Sequence, residues 1–264
     1  MEWFRVAGHD VRVQRRGSGP VVLFLPGFVG TASTTFGHQM AALAGECTVV
    51  GLDLPGMGDS PAPASLDLAG YADVAAGVLR ELDAGAATLV GLSFGGAVAI
   101  ALADRDAGLV RGLVLAGAYA GWAGSLAAEE VARRVAISTA VARASPEERV
   151  AMMGPSMFSP DVDPALAGPF LASVAAMPAD GFLAMTHAVS VADLRDALPR
   201  ISVPTLVVHG QRDVRATRDV ANGLADAIPT ARLVVLPGSG HISPVEAPEA
   251  FTGVVRSFLR QPPL

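Results

Sequence analysis

One serine in this 264-residue sequence has the neighbours that a catalytic nucleophile requires. Ser93 lies in the segment Gly-Leu-Ser-Phe-Gly-Gly, which follows an apolar strand-like run and precedes an alanine-rich helical segment. A sharp strand-to-helix turn of this G-x-S-x-G type exposes the serine hydroxyl, and the flanking glycines avoid a clash. The N-terminus of the helix then offers N–H groups to a developing oxyanion. A glycine-rich junction with an N-capping serine is the alternative interpretation.

A nucleophilic serine also needs a base and a group that orients the base. His241 lies in the segment Gly-Ser-Gly-His and Asp213 lies in His-Gly-Gln-Arg-Asp, each directly after a strand-like run. Both positions fall at the carboxyl ends of predicted parallel strands, on the same edge as Ser93. The chain order Ser, Asp, His is that of one known arrangement of a catalytic triad. The sequence therefore predicts that Ser93, Asp213 and His241 converge. Asp193 and Asp196 are an alternative source of the carboxylate.

The segments that must position these residues alternate between short β-branched runs and longer alanine-rich stretches. Strands are predicted at residues 11–16, 21–25, 48–53, 87–92, 110–118, 205–209 and 231–236. Helices are predicted between them, at 34–44, 71–82, 94–104, 217–228 and 245–259. This alternation predicts right-handed βαβ units and a mostly parallel sheet with flanking helices. Ligands of such sheets bind beyond the carboxyl ends of the strands.

The alternation of strands and helices is interrupted between residues 120 and 200, where no strand of the parallel type is predicted. The segments 126–144, 147–153, 164–177 and 181–189 are helical in pattern. We expect one core domain from residues 1–119 and 201–264, and a helical cap from residues 120–200. Methionine and phenylalanine are frequent in the expected cap, as in the underside of a lid that contacts an apolar substrate. The predicted pocket residues are Phe28, Trp122, Met153, Met157, Phe158 and Met185.

Composition excludes several other classes of protein. Hydrophobic residues make up 51% of the chain and charged residues 17%, which rules out intrinsic disorder. All 19 basic residues are arginines, so a Schiff-base lysine and a Walker-A lysine are both excluded. A net charge of −6 and scattered arginines argue against binding to nucleic acid. No arginine is placed by a motif to hold a carboxylate or a phosphate.

The chain resembles members of the α/β-hydrolase superfamily over nearly its whole length. The motifs GLSFGG, HGQRD and GSGH are specific in combination. The resemblance implies a mostly parallel eight-stranded sheet flanked by helices, with a helical cap inserted after the sixth strand. It also implies Ser93 as nucleophile, His241 as general base and acid, and Asp213 as the orienting carboxylate. The segment 53–60 resembles the D-x-x-G-x-G-x-S turn of the family.

The loop Pro-Gly-Phe-Val-Gly at residues 26–30 resembles the H-G-x-x-G oxyanion loop of the same family. By that resemblance, the oxyanion donors are the backbone N–H groups of Phe28 and Phe94. The chain departs from the pattern at Pro26, where the family usually has histidine. The amide donor is unaffected by this change, whereas the anchoring of the loop is left open.

The resulting expectation is a serine hydrolase that cleaves an ester or lactone bond of a small or medium-sized apolar substrate. The resemblance also permits hydrolysis of a carbon–carbon bond in β-diketones, thioester cleavage, acyl transfer and cofactor-free perhydrolysis on the same triad. A non-catalytic small-molecule receptor is a further alternative. No cofactor or metal is expected, because neither cysteines nor clustered histidines supply the ligands. A membrane span is not predicted, a cytoplasmic location is expected, and the oligomeric state stays open, a homodimer included.

Overall fold

An eight-stranded sheet forms the centre of the protein, whose computed structural model describes residues 1–260. The strands are β1 (Glu2–Val6), β2 (His9–Arg16), β3 (Val21–Leu25), β4 (Thr48–Asp53), β5 (Ala87–Leu92), β6 (Val110–Ala116), β7 (Thr205–Gly210) and β8 (Ala231–Leu236). Their order is β1-β2-β4-β3-β5-β6-β7-β8. The pairs β1–β2 and β2–β4 are antiparallel, and the others are parallel. The predicted mostly parallel eight-stranded sheet is confirmed.

The strand pattern of the sequence follows from how each strand is buried. Every residue of β3 and of β5 is buried, because helices cover both faces of the sheet there. The sequence pattern does not predict the edge strand β1. The strand is only five residues long, and one of its exposed positions is the apolar Trp3, so polar and apolar residues do not alternate along it. The sixth strand ends at Ala116 and not at residue 118, because Gly117 has a φ of 48° and leaves the extended region.

Ten α-helices are described in the same part of the chain. They are α1 (Ala32–Leu43), α2 (Leu68–Glu81), α3 (Phe94–Arg105), α4 (Ala128–Arg143), α5 (Pro146–Met157), α6 (Pro164–Ala176), α7 (Ala179–Val191), α8 (Arg218–Ala227), α9 (Ser243–Glu246) and α10 (Pro248–Leu259). Among the core contacts, α1 packs on α10 and α2 packs on α3. The predicted single helix at 245–259 was wrong: Ala247 leaves the helical region because Pro248 follows it.

The four helices α4–α7 lie between β6 and β7, where the sequence predicts a helical insertion. The insertion leaves and rejoins the core at one place, since Leu194 N–H donates to the Ala120 carbonyl (2.9 Å) and Trp122 N–H donates to the Val189 carbonyl (2.8 Å). That these helices form a separate cap domain stays a prediction. Within residues 1–260, no single helix has the length and apolar character needed to cross a membrane. Only α6 and α7 taken together reach the required length and apolar composition, and a 97° bend separates them.

Candidate active site

Ser93 lies at the tip of the sharp turn between β5 and α3. Its backbone has a φ of 52° and a ψ of −111°, a conformation that costs an L-residue energy and that persists only where the surroundings enforce it. The Ser93 N–H donates to the carbonyl of Ala116 at the end of the neighbouring strand, at 2.8 Å. The turn therefore holds the serine in the strained geometry that the G-x-S-x-G pattern predicts.

Glycine is required at two positions of this turn because the backbones come very close together. A Cβ atom at Gly91 would lie 2.5 Å from the carbonyl oxygen of Gly95. A Cβ atom at Gly95 would lie 2.1 Å from the carbonyl oxygen of Leu25, at the end of β3. The side chain of Ser93 itself makes no capping hydrogen bond to α3, which argues against the interpretation as a simple N-cap.

Asp213 and His241 meet at the carboxyl ends of β7 and β8. The Nδ1 atom of His241 lies 2.8 Å from Oδ2 of Asp213, and both side chains are almost completely buried. The other carboxylate oxygen, Oδ1, accepts hydrogen bonds from the backbone N–H groups of Arg215 (2.8 Å) and Ala216 (3.0 Å). Desolvation raises the pKa of the Asp213 carboxyl, but the charge and hydrogen bond of His241 and these amides outweigh it. The pKa lies below its usual value, so Asp213 is ionised and can orient the imidazole.

Gly117, directly after β6, allows this pair to lie against the sheet. A Cβ atom there would come within 2.9 Å of Nδ1 of His241 and within 3.2 Å of Oδ2 of Asp213. Sequence reasoning missed this residue. Its only signal is a glycine at a strand end, and the chain has many glycines at such places.

Ser93 and His241 line one small cavity. We call it the Ser93 cavity; its other lining residues are Gly27, Phe28, Val29, Leu92, Met157, Arg215 and Ile242. In this conformation no hydrogen bond joins the hydroxyl of Ser93 to the imidazole of His241. Hydrogen bonds of this kind are often long in unliganded enzymes and tighten when substrate binds.

The two predicted oxyanion donors have backbone amides that are free to donate. The N–H groups of Phe28 and Phe94 have no acceptor among the residues that the structure describes, although both residues are buried. Phe28 itself lines the Ser93 cavity, whereas the ring of Phe94 packs edge-on against Tyr71 at 5.0 Å. Buried amides without a partner are uncommon in proteins, and an oxyanion would satisfy both.

Two further cavities each share lining residues with the first one. One is lined by Phe28, Met177 and Phe182, and the other by Trp122, Met153 and Phe182. We call the latter the Trp122 cavity. Phe28 contacts both Trp122 and Phe182 with its ring, at centroid distances of 6.0 and 5.2 Å.

The six predicted pocket residues are thus distributed unevenly. Phe28 and Met157 line the Ser93 cavity, and Trp122 and Met153 line the Trp122 cavity. Phe158 packs edge-on against Phe170 at 5.6 Å and lines none of the three cavities. Met185 is buried and likewise lines none of them. A role in substrate binding stays a prediction for all six residues.

The loop that carries His241 is tied directly to the inserted helices. The N–H of Ile242 donates to the carbonyl of Met157 at 3.1 Å. The carboxylate of Glu246 accepts from the N–H of Gly240 (2.7 Å) and from both the N–H and the hydroxyl of Ser159. Sequence reasoning did not assign a role to Glu246, which no motif distinguishes from other surface glutamates.

Arg215 is a further residue that sequence reasoning missed. No arginine was expected at the site, but Arg215 lines both the Ser93 cavity and the Trp122 cavity. Desolvation lowers the pKa of its guanidinium. The signal available in the sequence was its position two residues after Asp213, in the loop that must face the nucleophile.

The alternative carboxylates lie elsewhere. Asp193 pairs with Arg195 on the surface, with Nη2 of Arg195 2.5 Å from Oδ2 of Asp193, and Asp196 is exposed. Neither side chain lines the Ser93 cavity. Asp213 is therefore the carboxylate that accompanies His241.

Comparisons with known proteins agree with this fold. The model of the alpha/beta hydrolase family matches residues 22–254, so the chain belongs to the α/β-hydrolase family. Among solved structures, a thermophilic esterase from Thermogutta terrifontis with malate bound is 28% identical and has a TM-score of 0.90, with 98% of both chains covered. The enol-lactonase from Burkholderia xenovorans is 27% identical with a TM-score of 0.86, covering 98% of this chain and 100% of that one.

One relative is much longer than this chain. The polyketide synthase ThaQ of Burkholderia thailandensis is 33% identical over 96% of this chain, which spans only 12% of that protein. The similarity therefore concerns one segment of a large protein. The esterase and the lactonase resemble this chain over their whole length.

Proposed function

We propose that the protein is a serine hydrolase that cleaves an ester or lactone bond in a small or medium-sized substrate with an apolar body. One observation carries the proposal. The strained Ser93 and the buried His241 line the same cavity, and His241 is hydrogen-bonded to an ionised Asp213. The family includes esterases and an enol-lactonase of similar size, which supports the reaction class.

The first half of the reaction forms an acyl-enzyme. Oγ of Ser93 attacks the carbonyl carbon while Nε2 of His241 accepts the hydroxyl proton. The carbonyl oxygen becomes an oxyanion, which the free N–H groups of Phe28 and Phe94 stabilise. The tetrahedral intermediate collapses, the carbon–oxygen bond to the leaving group breaks, and His241 gives its proton to the departing alkoxide.

The second half returns the enzyme to its starting state. A water molecule takes the place of the alcohol, His241 accepts one of its protons, and the hydroxide attacks the acyl-Ser93 ester. The second tetrahedral intermediate uses the same two amides. Its collapse releases a carboxylic acid, and the proton returns from His241 to Oγ of Ser93. In a lactone the leaving alkoxide stays attached to the acyl group, so the product is a hydroxy acid.

The experiment is a panel of ethyl esters, thioesters and lactones of graded size, measured with the wild type and with Ser93→Ala. We expect ester or lactone turnover by the wild type and a loss of at least about 10⁴-fold in kcat for Ser93→Ala. Ser65→Ala, at an exposed serine, is the matched control and should keep the wild-type rate. Undiminished turnover by Ser93→Ala would overturn the proposal. A wild type that binds esters but hydrolyses none of the panel would favour a receptor.

A further inference from the structure

The cavities around Ser93 are lined by positive charge in a chain that is acidic as a whole. Among the residues that line the three cavities, no aspartate or glutamate is present, whereas Arg133, Arg134 and Arg215 are. The net charge of the chain is −6. A concave site lined by one sign of charge concentrates ligands of the opposite sign. The lining therefore favours an anionic group on the substrate.

Arg215 is the member of this set that reaches the Ser93 cavity. It is the one lining residue that the Ser93 cavity and the Trp122 cavity share. Arg133 and Arg134 line the Trp122 cavity alone, and both are hydrogen-bonded to the carboxylate of Glu130 at 2.7 Å. Their charges are thus largely neutralised within the protein.

No such partner neutralises Arg215. Within residues 1–260, no carboxylate oxygen lies within 4.0 Å of its guanidinium nitrogens. Nη1 donates to the hydroxyl of Ser156 at 2.9 Å, and the structure gives Nε and Nη2 no acceptor among those same residues. Arg215 is only partly buried, so these two donors are available to a ligand in the cavities that it lines.

Hydrogen bonds of its own backbone hold Arg215 in place, so the guanidinium charge is not used for this purpose. Its N–H donates to Oδ1 of Asp213 (2.8 Å), and its carbonyl accepts from Nη2 of Arg134 (2.8 Å). Ser156 is held in turn, since its hydroxyl donates to the carbonyl of Met153 at 2.9 Å. The free donors of Arg215 are therefore pre-positioned, which lowers the entropy lost when a ligand binds.

We propose that Arg215 binds a carboxylate carried by the substrate, so that the natural substrates are half-esters of short dicarboxylic acids or lactones with a free carboxylate. The ester carbonyl lies at Ser93 while the carboxylate accepts hydrogen bonds from Nε and Nη2 in the planar, paired geometry that guanidinium favours. This inference rests on the proposed hydrolase activity. It refines the expected apolar substrate: the body of the molecule is apolar and one end is charged.

The alternative is a purely structural Arg215 that fastens α5 through Ser156. The two roles differ in what they predict for substrate charge. A structural role affects all substrates alike, whereas a carboxylate-binding role discriminates between a charged substrate and a neutral one of the same shape. The measurement must therefore compare the two substrates within each protein.

Monoethyl glutarate and its neutral amide, ethyl 4-carbamoylbutanoate, form such a pair. Ethanol release gives kcat/KM for both, and the carboxylate-to-amide ratio is the readout. We expect the wild type to favour the carboxylate by about 10- to 100-fold, the range of a hydrogen bond to a charged group. Arg215→Gln should lower this ratio to near one, and Arg215→Lys should give an intermediate ratio. Succinate and adipate pairs test which spacing from Ser93 fits best.

Arg212→Gln is the matched control, because Arg212 lies in the same loop but pairs with Asp161 on the surface. It removes the same charge and should leave the ratio unchanged. A wild-type ratio near or below one for all three spacings would overturn the inference, as would an unchanged ratio in Arg215→Gln. If Arg215→Gln does not fold, the wild-type ratio and Arg215→Lys still decide. Failure of the hydrolase proposal gives a different result: ethanol release from both substrates would then be unchanged in Ser93→Ala.

Discussion

The loops at the carboxyl edge of the sheet and the inserted helices α4–α7 are built in different ways. The edge loops are held by backbone hydrogen bonds between neighbours, such as Ser93 N–H to Ala116 and Gly117 N–H to Val208 (3.1 Å). Two of the inserted helices instead carry interior prolines, Pro155 and Pro169, each of which removes a hydrogen bond from the helix backbone. The chemical groups are thus placed by the sheet, whereas the inserted helices contribute side chains to the walls of the cavities.

The largest effect should come from the edge, at the carboxylate that orients the imidazole. Asp213→Asn keeps the shape of the side chain but cannot hold His241 in the productive tautomer, so kcat should fall about 10⁴-fold. Steady-state hydrolysis of an ethyl ester measures this. The control is Asp193→Asn, a surface carboxylate, which should change kcat less than about twofold. A small effect of Asp213→Asn, or a large effect at Asp193, would contradict the assignment.

Stability should next separate the core that supports the edge loops from the inserted helices. Phe36 on α1 is fully buried between Phe24 and Phe251, and truncation leaves a cavity, so Phe36→Ala should lower the free energy of unfolding by about 3–5 kcal/mol. Met152 on α5 is 44% exposed, and Met152→Ala should cost less than about 1 kcal/mol. Urea titration measures both. Equal losses at the two sites would remove the distinction.

A buried carboxylate at the edge of the sheet should make stability depend on pH. Desolvation raises the pKa of Asp53, at the end of β4, to about 6, against the opposing hydrogen bond from the Ala32 N–H at 2.6 Å. Between about pH 4 and pH 6 the folded protein holds a proton that the unfolded chain has released. The free energy of unfolding that Asp53 contributes therefore falls as the pH rises through this window.

Asp53→Asn cannot titrate and should lose this dependence. From about pH 4 to pH 7, its free energy of unfolding relative to the wild type should improve by up to about 3 kcal/mol. Urea titrations at several pH values measure the difference, which also cancels any constant cost of the substitution. A difference that is the same at every pH would contradict the role of Asp53.

The smallest effect should arise where the inserted helices meet the site. Met157, at the end of α5, lines the Ser93 cavity, and Met157→Ala enlarges it. The preference for hexanoate over acetate ethyl esters should rise by about tenfold, because a pocket gains roughly 1–3 kcal/mol per accommodated methylene. Glu147→Ala, at an exposed position of the same helix that lines none of the three cavities, is the control and should leave the preference unchanged. An unchanged chain-length preference in Met157→Ala would mean that α5 does not shape the pocket.

The same contrast explains what the sequence could and could not predict. Ser93, Asp213 and His241 follow strands and carry short motifs, because backbone geometry at a strand end restricts which residues fit. Arg215 and Glu246 act through contacts between segments distant in sequence, with Ser156 and Ser159 respectively. Contacts of that kind leave no local pattern. For the same reason, the pattern predicted four inserted helices but placed their methionines only in part: Met153 and Met157 line cavities, whereas Met185 lines none and Met152 was omitted.

The most direct test of the account is covalent labelling with a fluorophosphonate, followed by peptide mass spectrometry. The reagent captures a serine whose hydroxyl is activated by a neighbouring base. We expect a single adduct, located on Ser93, with labelling at least about 10³-fold slower in His241→Ala. Labelling at a different residue, or labelling of Ser93 at an undiminished rate in His241→Ala, would contradict the central claim that these two side chains act together.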